Sequence, residues 1–467
     1  MTDDLGMKGA ESHVSASLVL SERRCGLGEK GNSESCEPSD LSLPIERPLP
    51  PQAVYRQSLI GSALLIGADP IVRRLLWPFR LIAASAVCVL GVAGCEGEPR
   101  AVNRELVWDS AGIRIVENPG PRWPGDDVWV VAPEPQLQIG SREGDEASTF
   151  YRLAHAARLS DGRILVLDGS TLQLRYFGAS GEFLHRAGRR GSGPGEFQVL
   201  SHLQVLSADS VLVYDARQSR VTLFDAAGRL AQTTRLTPPA GMVSGDLLGR
   251  FPDGSFAVRH IAPRPEAHSE ALYFRDTDLV IRYHPSGGAG DTVASFAGRE
   301  LTHRPREGGL ILIGPAPFGR QRHYLLMEGS LLTADSEEFH FFTHDGSGRA
   351  HRLTRLGLRG EKAPAELWQR IREASPRSIP VPETMPAFQR MLADPAGNLW
   401  IERYRAGADT ADPRWEVVDR DGRWVTSVRT PHGLQVTQFG ADYVLGTIRD
   451  SLDTEYVRLH ALVKHRR

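Results

Sequence analysis

Two stretches of this chain are copies of one another. LSDGRILVLDGSTLQLRYFGASGEFLHRAG (159–188) and LSADSVLVYDARQSRVTLFDAAGRLAQTTRL (206–236) align without gaps over most of their length. Asp161 falls opposite Asp209, Asp168 opposite Asp215, Phe177 opposite Phe224 and Gly181 opposite Gly228. Within each copy apolar residues alternate (Ile164 and Val166; Val211 and Val213), which is the period of a half-buried strand. Asp161-Gly162 suits a tight hairpin turn, and a second turn falls at Ser180-Gly181 and Ala227-Gly228, where glycine supplies positive φ. Each unit therefore reads as an antiparallel meander of three to four strands in about 45 residues. One such sheet cannot bury its apolar faces alone, so the chain must stack several of them.

Weaker copies follow. FPDGSFAVRH (251–260) with LVIRYHPSGGAGDTVASF (279–296), SLLTADSEEFHFFTHDGSGRAHRLTRL (330–356), MLADPAGNLWIERY (391–404) with RWEVVDRDGRWVTSV (414–428), and LQVTQFGADYVLGTIRDSLDTEYVRLHAL (434–462) keep the same order of strands and turns. The units fall at about 150–195, 196–240, 241–300, 315–358, 385–430 and 433–462. The expectation is an all-β fold: a six-bladed β-propeller of four-stranded antiparallel blades over 105–467, with sheets arranged around an axis. The last unit has room for about three strands. Its missing strand is expected from the N-terminal side, either GIRIVEN (112–118) or DVWVVA (127–132), closing the ring and removing an exposed sheet edge. A seven-bladed ring would need 105–140 to form a blade alone. A short helical insertion is expected near 362–375, where Ala365, Leu367, Trp368 and Ile371 make one apolar face before Pro376.

The link GRRGSGPGEF (188–197), followed by LVYD, SRVTLFD and a glycine turn, resembles the NHL repeat. In that family a Gly-rich link ending in Gly-Glu-Phe leads into the next blade. The resemblance marks Gly191, Gly193, Pro194, Gly195, Glu196 and Phe197 as a structural link, and Asp168 and Asp215 as repeat positions. It is strong over about 150–235 and looser beyond, where the Arg-Val pair of Arg220-Val221 is missing. The closing DYVLGTIRDSLDTEYVRLHAL (442–462), preceded far upstream by the lipobox-like Val92-Ala93-Gly94-Cys95, resembles the six-bladed β-propeller lipoproteins of soil and marine bacteria. The glycine loop precedes a strand rather than a helix, so it offers no helix N-terminus to a phosphate. Phe197 is expected to pack between blades, and Glu196 to cap backbone amides.

All four cysteines (Cys25, Cys36, Cys88 and Cys95) lie in the first fifth of the chain, which excludes a disulfide scaffold and thiol catalysis in the repeats. Residues 72–95, VRRLLWPFRLIAASAVCVLGVAGC, combine Arg73, Arg74 and Arg80 with an apolar run from Leu81 to Val92. The run is too short to span a bilayer, which takes about 20 residues, but suits a signal peptide. Val92-Ala93-Gly94-Cys95 resembles a bacterial lipobox, which implies acylation of Cys95 and anchoring to a membrane, with Glu96 favouring the outer one. Residues 96–104 would be a tether. Residues 1–71 read as disordered or as the product of a start codon placed too early, with translation beginning near Val72.

The balance of 55 basic against 57 acidic residues gives no general attraction to nucleic acid. Past Cys95 the charge is still near zero. The 47 glycines and 31 prolines fit the frequent turns of the meanders.

Catalytic signals are sparse. There is no G-x-S-x-G elbow. Lactonase-like propellers hold a divalent metal with Glu, Asn and Asp, yet only Asn103, Asn118 and Asn398 follow residue 100. Amidating-lyase-like propellers use zinc-binding histidines. His155 and His202, 47 residues apart at equivalent blade entries, could converge on a ligand. Trp368 on the insertion is a further ligand-binding candidate. His340 and His344 share a face only if their strand is regular. Six tryptophans (Trp108, Trp123, Trp129, Trp400, Trp415 and Trp424) read as core rather than a sugar cleft. No metal or cofactor is expected. The reading is a membrane-tethered, extracytoplasmic binding scaffold for protein, peptide or glycan. The alternative is a metal-dependent propeller hydrolase or lyase with its site in the central channel.

Overall fold

The computed structural model describes residues 103–126, 128–141, 146–242, 245–263, 273–305, 311–375, 379–406 and 411–465. Four sheets have four strands each, as the repeat predicts. The first runs Leu153–Arg158, Ile164–Asp168, Gln173–Phe177, Phe183–Ala187. The second is His202–Val205, Val211–Asp215, Arg220–Phe224, Leu230–Arg235. The fifth is Phe388–Ala393, Leu399–Arg403, Arg414–Val418, Trp424–Arg429. The sixth takes Gln435–Phe439, Tyr443–Arg449 and Glu455–Lys464, and its outer strand is Trp129–Ile139, antiparallel to the last.

Two sheets are extended. The third has Asp246–Arg250, Phe256–Ile261, Tyr273–Tyr283 and a long Ala289–Pro305, then a fifth strand Ile311–Pro315. It thus runs past the expected boundary at 300. The fourth has Arg322–Met327, Ser330–Asp335, His340–His344 and Ala350–Leu356. Ile113–Asn118 then adds in parallel to Ala350–Leu356, and Leu106–Ser110 pairs outside it. The two N-terminal candidates are thereby resolved: DVWVVA lies in the segment that completes the sixth sheet, and GIRIVEN extends the fourth. Residues 105–140 do not form a blade of their own, so the seven-bladed alternative falls.

Between those strands the chain runs along the outer edge of the fifth sheet. Arg122 and Trp123 donate their amides to the carbonyls of Trp424 and Val425. Asn118 is the clamp. Its Nδ2 donates to the carbonyls of Arg355 and Gly422, both at 3.0 Å, and its Oδ1 accepts the Trp424 amide at 2.9 Å. One buried amide thus joins the fourth and fifth sheets.

The core lies between sheets. Leu165, Leu167 and Leu174 pack on Leu203, Val211 and Phe197 across the first and second. Similar clusters fill the second–third, fourth–fifth, fifth–sixth and sixth–first interfaces. Trp400, Trp415 and Trp424 are buried in two of these, with Trp400 stacked 3.7 Å from Phe439, so they are core. Trp123 and Trp129 are half-buried, and Trp108, on the outermost strand of the fourth sheet, is exposed rather than the core residue expected. Removing a large side chain from such a cluster costs about 2–5 kcal/mol. The third–fourth interface mixes aromatic contacts, Phe296 against Tyr324 and His344, with polar ones. Arg259 and Tyr324 both reach Asp278, at 2.9 and 2.7 Å, and Arg275 pairs with Asp335.

Gly162, Gly181 and Gly228 have positive φ at the expected turns. At Gly228 a Cβ would also lie 3.0 Å from the Tyr176 ring of the first sheet. The helix Ala365–Ala374 sits in the connection between the fourth and fifth sheets. No helix among the described residues is long and apolar enough to cross a membrane.

Candidate functional site

The opening strand of each sheet is the innermost. Opening strands touch in order from the second sheet to the sixth, and the sixth touches the first. Polar groups tie them together. Gln438 accepts the Arg158 amide at 2.6 Å, and Gln204 accepts the Arg250 amide at 3.2 Å.

Register places one residue per sheet at a single level of these inner strands. His155 pairs with Leu167, the residue before Asp168. His202 pairs with Tyr214, the residue before Asp215. His323 pairs with Ala334, the residue before Asp335. The matching pairs elsewhere are Asp246 with Arg259, Arg390 with Glu402, and Gln435 with Thr447. The ring is therefore His155, His202, Asp246, His323, Arg390 and Gln435, all with polar side chains. Sequence spacing found the first two because their sheets have equal length. It missed the other four because the long third sheet and the helical insertion break the period.

The groups interact around the ring. His202 lies in the field of both His155 and Asp246, and His155 in that of Arg390. Burial pushes each of His155, His202 and His323 down to about 4, so all three are neutral at pH 7. A neutral imidazole offers one donor and one acceptor. Four nitrogens here are buried without a partner: His155 Nδ1, His202 Nε2, His323 Nε2 and Arg390 Nη2. Buried polar atoms normally have partners, and leaving one unmet costs about 1–3 kcal/mol. Arg390 is otherwise fixed, donating to Glu402 at 3.0 Å and to the Val436 carbonyl at 2.8 Å. The His323 ring is turned toward the fifth sheet, 5.0 Å from Phe388. The arrangement can hydrogen-bond a polar ligand at one end of the strands. Among the described residues no group of three or more His, Cys, Asp or Glu is placed to hold a metal ion.

The other sequence candidates are structural or lie elsewhere. Asp168 accepts the Ser170 amide and hydroxyl and pairs with Arg175 at 2.7 Å. Asp215 accepts the amides of Gln198 and Gln218. Both carboxylates are fully buried clasps of the repeat. In the link containing Gly191, Gly193, Pro194 and Gly195, the Gly193 amide donates to Glu196 Oε2 at 2.8 Å. The loop's anion-binding concavity thus holds the chain's own carboxylate, which Arg189 also pairs. Phe197 is buried between the first two sheets, as expected.

Trp368 is half-buried on the insertion, with its Nε1 unpartnered. His340 and His344 do not act together. A register shift separates Thr343 from His344, whose Nε2 meets Thr333 Oγ1 at 3.0 Å, while His340 pairs with Glu338. Cys25, Cys36, Cys88 and Cys95, with the leader and most of the tether, lie outside the described residues.

Six sheets meeting along their opening strands, the last completed from the N-terminal side, define a β-propeller. Residues 153–240 match a family model described as a 6-bladed beta-propeller, the region where the repeats are strongest. Solved structures are similar at low identity. A Bacteroides fragilis protein whose name infers export is 11% identical, with 74% of this chain and 98% of that one covered and a TM-score of 0.43. A Bacteroides vulgatus protein is 9% identical over 73% and 100%, with a TM-score of 0.44. Virginiamycin B lyase from Staphylococcus aureus is 10% identical over 72% and 100%, with a TM-score of 0.35. No curated protein sequence matches.

Proposed function

We propose that the protein is an exported binding module, tethered to a bacterial membrane through lipid on Cys95. It takes a protein, peptide or glycan at the strand ends that carry the inner ring. The observation that carries this reading is the ring itself: six polar side chains at one level, four of whose nitrogens are buried and unpartnered. The export and anchoring half rests on the sequence, on the arginine-flanked apolar run and Val92-Ala93-Gly94-Cys95. Outer-membrane placement follows from Glu96. The near-zero charge argues against a nucleic-acid partner.

Binding is preferred to metal-dependent hydrolysis or lysis because, among the described residues, no group of three or more His, Cys, Asp or Glu is placed to hold a metal ion. Two measurements test the reading. In a bacterial host, labelled fatty acid should enter the wild type and not Cys95→Ser, which should leave the membrane fraction. Metal analysis of the purified full chain should find no stoichiometric zinc or calcium. One equivalent, lost in His155→Gln, would replace the binding reading with the metal-dependent enzyme.

A further inference from the structure

A cavity of about 170 Å³ opens between the fourth and fifth sheets. It lies at the strand ends away from the ring: Ser330 and Leu399 begin their strands there, while Asp335 and Arg403 end them. Its floor is apolar, formed by Leu332, Phe341, Leu399 and Val418 of the interface core.

Above that floor lies Arg352. Its guanidinium is held by a carbonyl and a hydroxyl, those of Arg420 and Thr343, rather than by a carboxylate. Its Nε is buried with no partner. Burial holds its pKa below the usual arginine value, although Asp421, Asp419 and Glu328 raise it and Arg114 opposes them; Glu328 and Asp419 also line the cavity. Arg420, also on the wall, donates to the Ala396 carbonyl at 3.2 Å. The nearby aspartates are committed elsewhere. Asp419 Oδ1 accepts the amides of Asp421 and Arg423, and the Asp421 carboxylate pairs with Arg423. The cavity therefore joins an apolar floor to an arginine with an unmet donor.

We propose that this cavity binds a small organic carboxylate, with its anionic end on Arg352 and Arg420 and its apolar body on the floor. The size fits a body of about one benzene ring, which a dry cavity of roughly 150 Å³ can hold. Guanidinium is the side chain whose fork matches a carboxylate. The corresponding cleft between the second and third sheets has only about 80 Å³, and its Arg250 is tied to the Gly254 carbonyl. The site is separate from the inner ring and does not depend on that reading.

The test is calorimetric titration of the full chain with benzoate, benzyl alcohol and inorganic phosphate. Benzoate should bind once per chain, and the other two at least about tenfold more weakly, since one lacks the charge and one the apolar body. Arg352→Gln should weaken benzoate about tenfold or more, with Arg352→Lys in between. Glu328→Gln should tighten it. Leu332→Phe, which fills the floor and keeps every charge, should abolish it. Circular dichroism checks folding, and if Arg352→Gln fails to fold, Leu332→Phe decides. The proposal is overturned if the wild type takes no benzoate at millimolar concentration. It is equally overturned by phosphate or benzyl alcohol binding as well as benzoate, or by folded variants binding it unchanged.

Discussion

Acidification should destabilise this protein well before its carboxylates titrate, and the inner-ring histidines are the reason. His155, His202 and His323 are held near 4 by burial, against about 6.5 in an unfolded chain. The unfolded state takes up protons first, so stability falls as pH drops below about 6.5 and levels off below about 4. With those two values, linkage gives a loss of about 0.8 kcal/mol per histidine by pH 6 and about 2 kcal/mol by pH 5. The rings are half-buried, so these are upper values. Three together approach about 5 kcal/mol, a large part of the 5–15 kcal/mol typical of a folded domain. His344 and His460, also lowered by burial, add in the same direction. The assay is urea unfolding followed by tryptophan fluorescence at pH 7, 6 and 5, on the wild type and on His155→Gln and His202→Gln singly. Each variant should lose up to about 2 kcal/mol less than the wild type between pH 7 and 5. Parallel pH profiles for wild type and variants would refute the reasoning, as would imidazole proton shifts that titrate near 6.5 in the folded protein.

Three further outcomes follow from the packing. Asn118→Ala removes a buried group with three backbone partners on two sheets and should cost about 3 kcal/mol in the same denaturation assay. Glu416→Gln should cost about 3–5 kcal/mol, because the fully buried carboxylate meets Arg403 at 2.6 Å and also holds Trp424 Nε1 and Ser427 Oγ. Chains shortened from the N-terminal side should divide at the outer strand of the sixth sheet. Starting at residue 119 keeps Trp129–Ile139 and should leave a folded, monomeric protein on gel filtration, weakened by about 3 kcal/mol because the Asn118 clamp is lost. Starting at residue 140 bares the Glu455–Lys464 edge and should give aggregates.

Two of the six ring residues were legible in the sequence. His155 and His202 stood out because two adjacent repeats have nearly identical length and matching residues. Asp246, His323, Arg390 and Gln435 occupy the same level, but only strand register reveals it, since insertions between repeats erase any constant spacing. The Glu196 loop reads as a structural link in the sequence because the residues after it have a strand pattern. The carboxylate filling it was visible only as a capping role, and its Arg189 partner only in three dimensions. The cavity beside Arg352 left no trace in the sequence. Its floor comes from strands of two different sheets, and arginine is scattered throughout a chain with few lysines.

By itself, the sequence determined the number of sheets, their turns and their order. Alternating apolar residues and Gly turns are local signals, and a repeat that cannot bury itself must stack. Tertiary structure decided what local signals cannot carry. GIRIVEN and DVWVVA have equally good strand patterns, and only the free edges they meet assign one to the fourth sheet and the other to the sixth. Edges, levels of a ring and uncompensated charges are relations between distant segments. They exist only once the sheets are brought around a common centre.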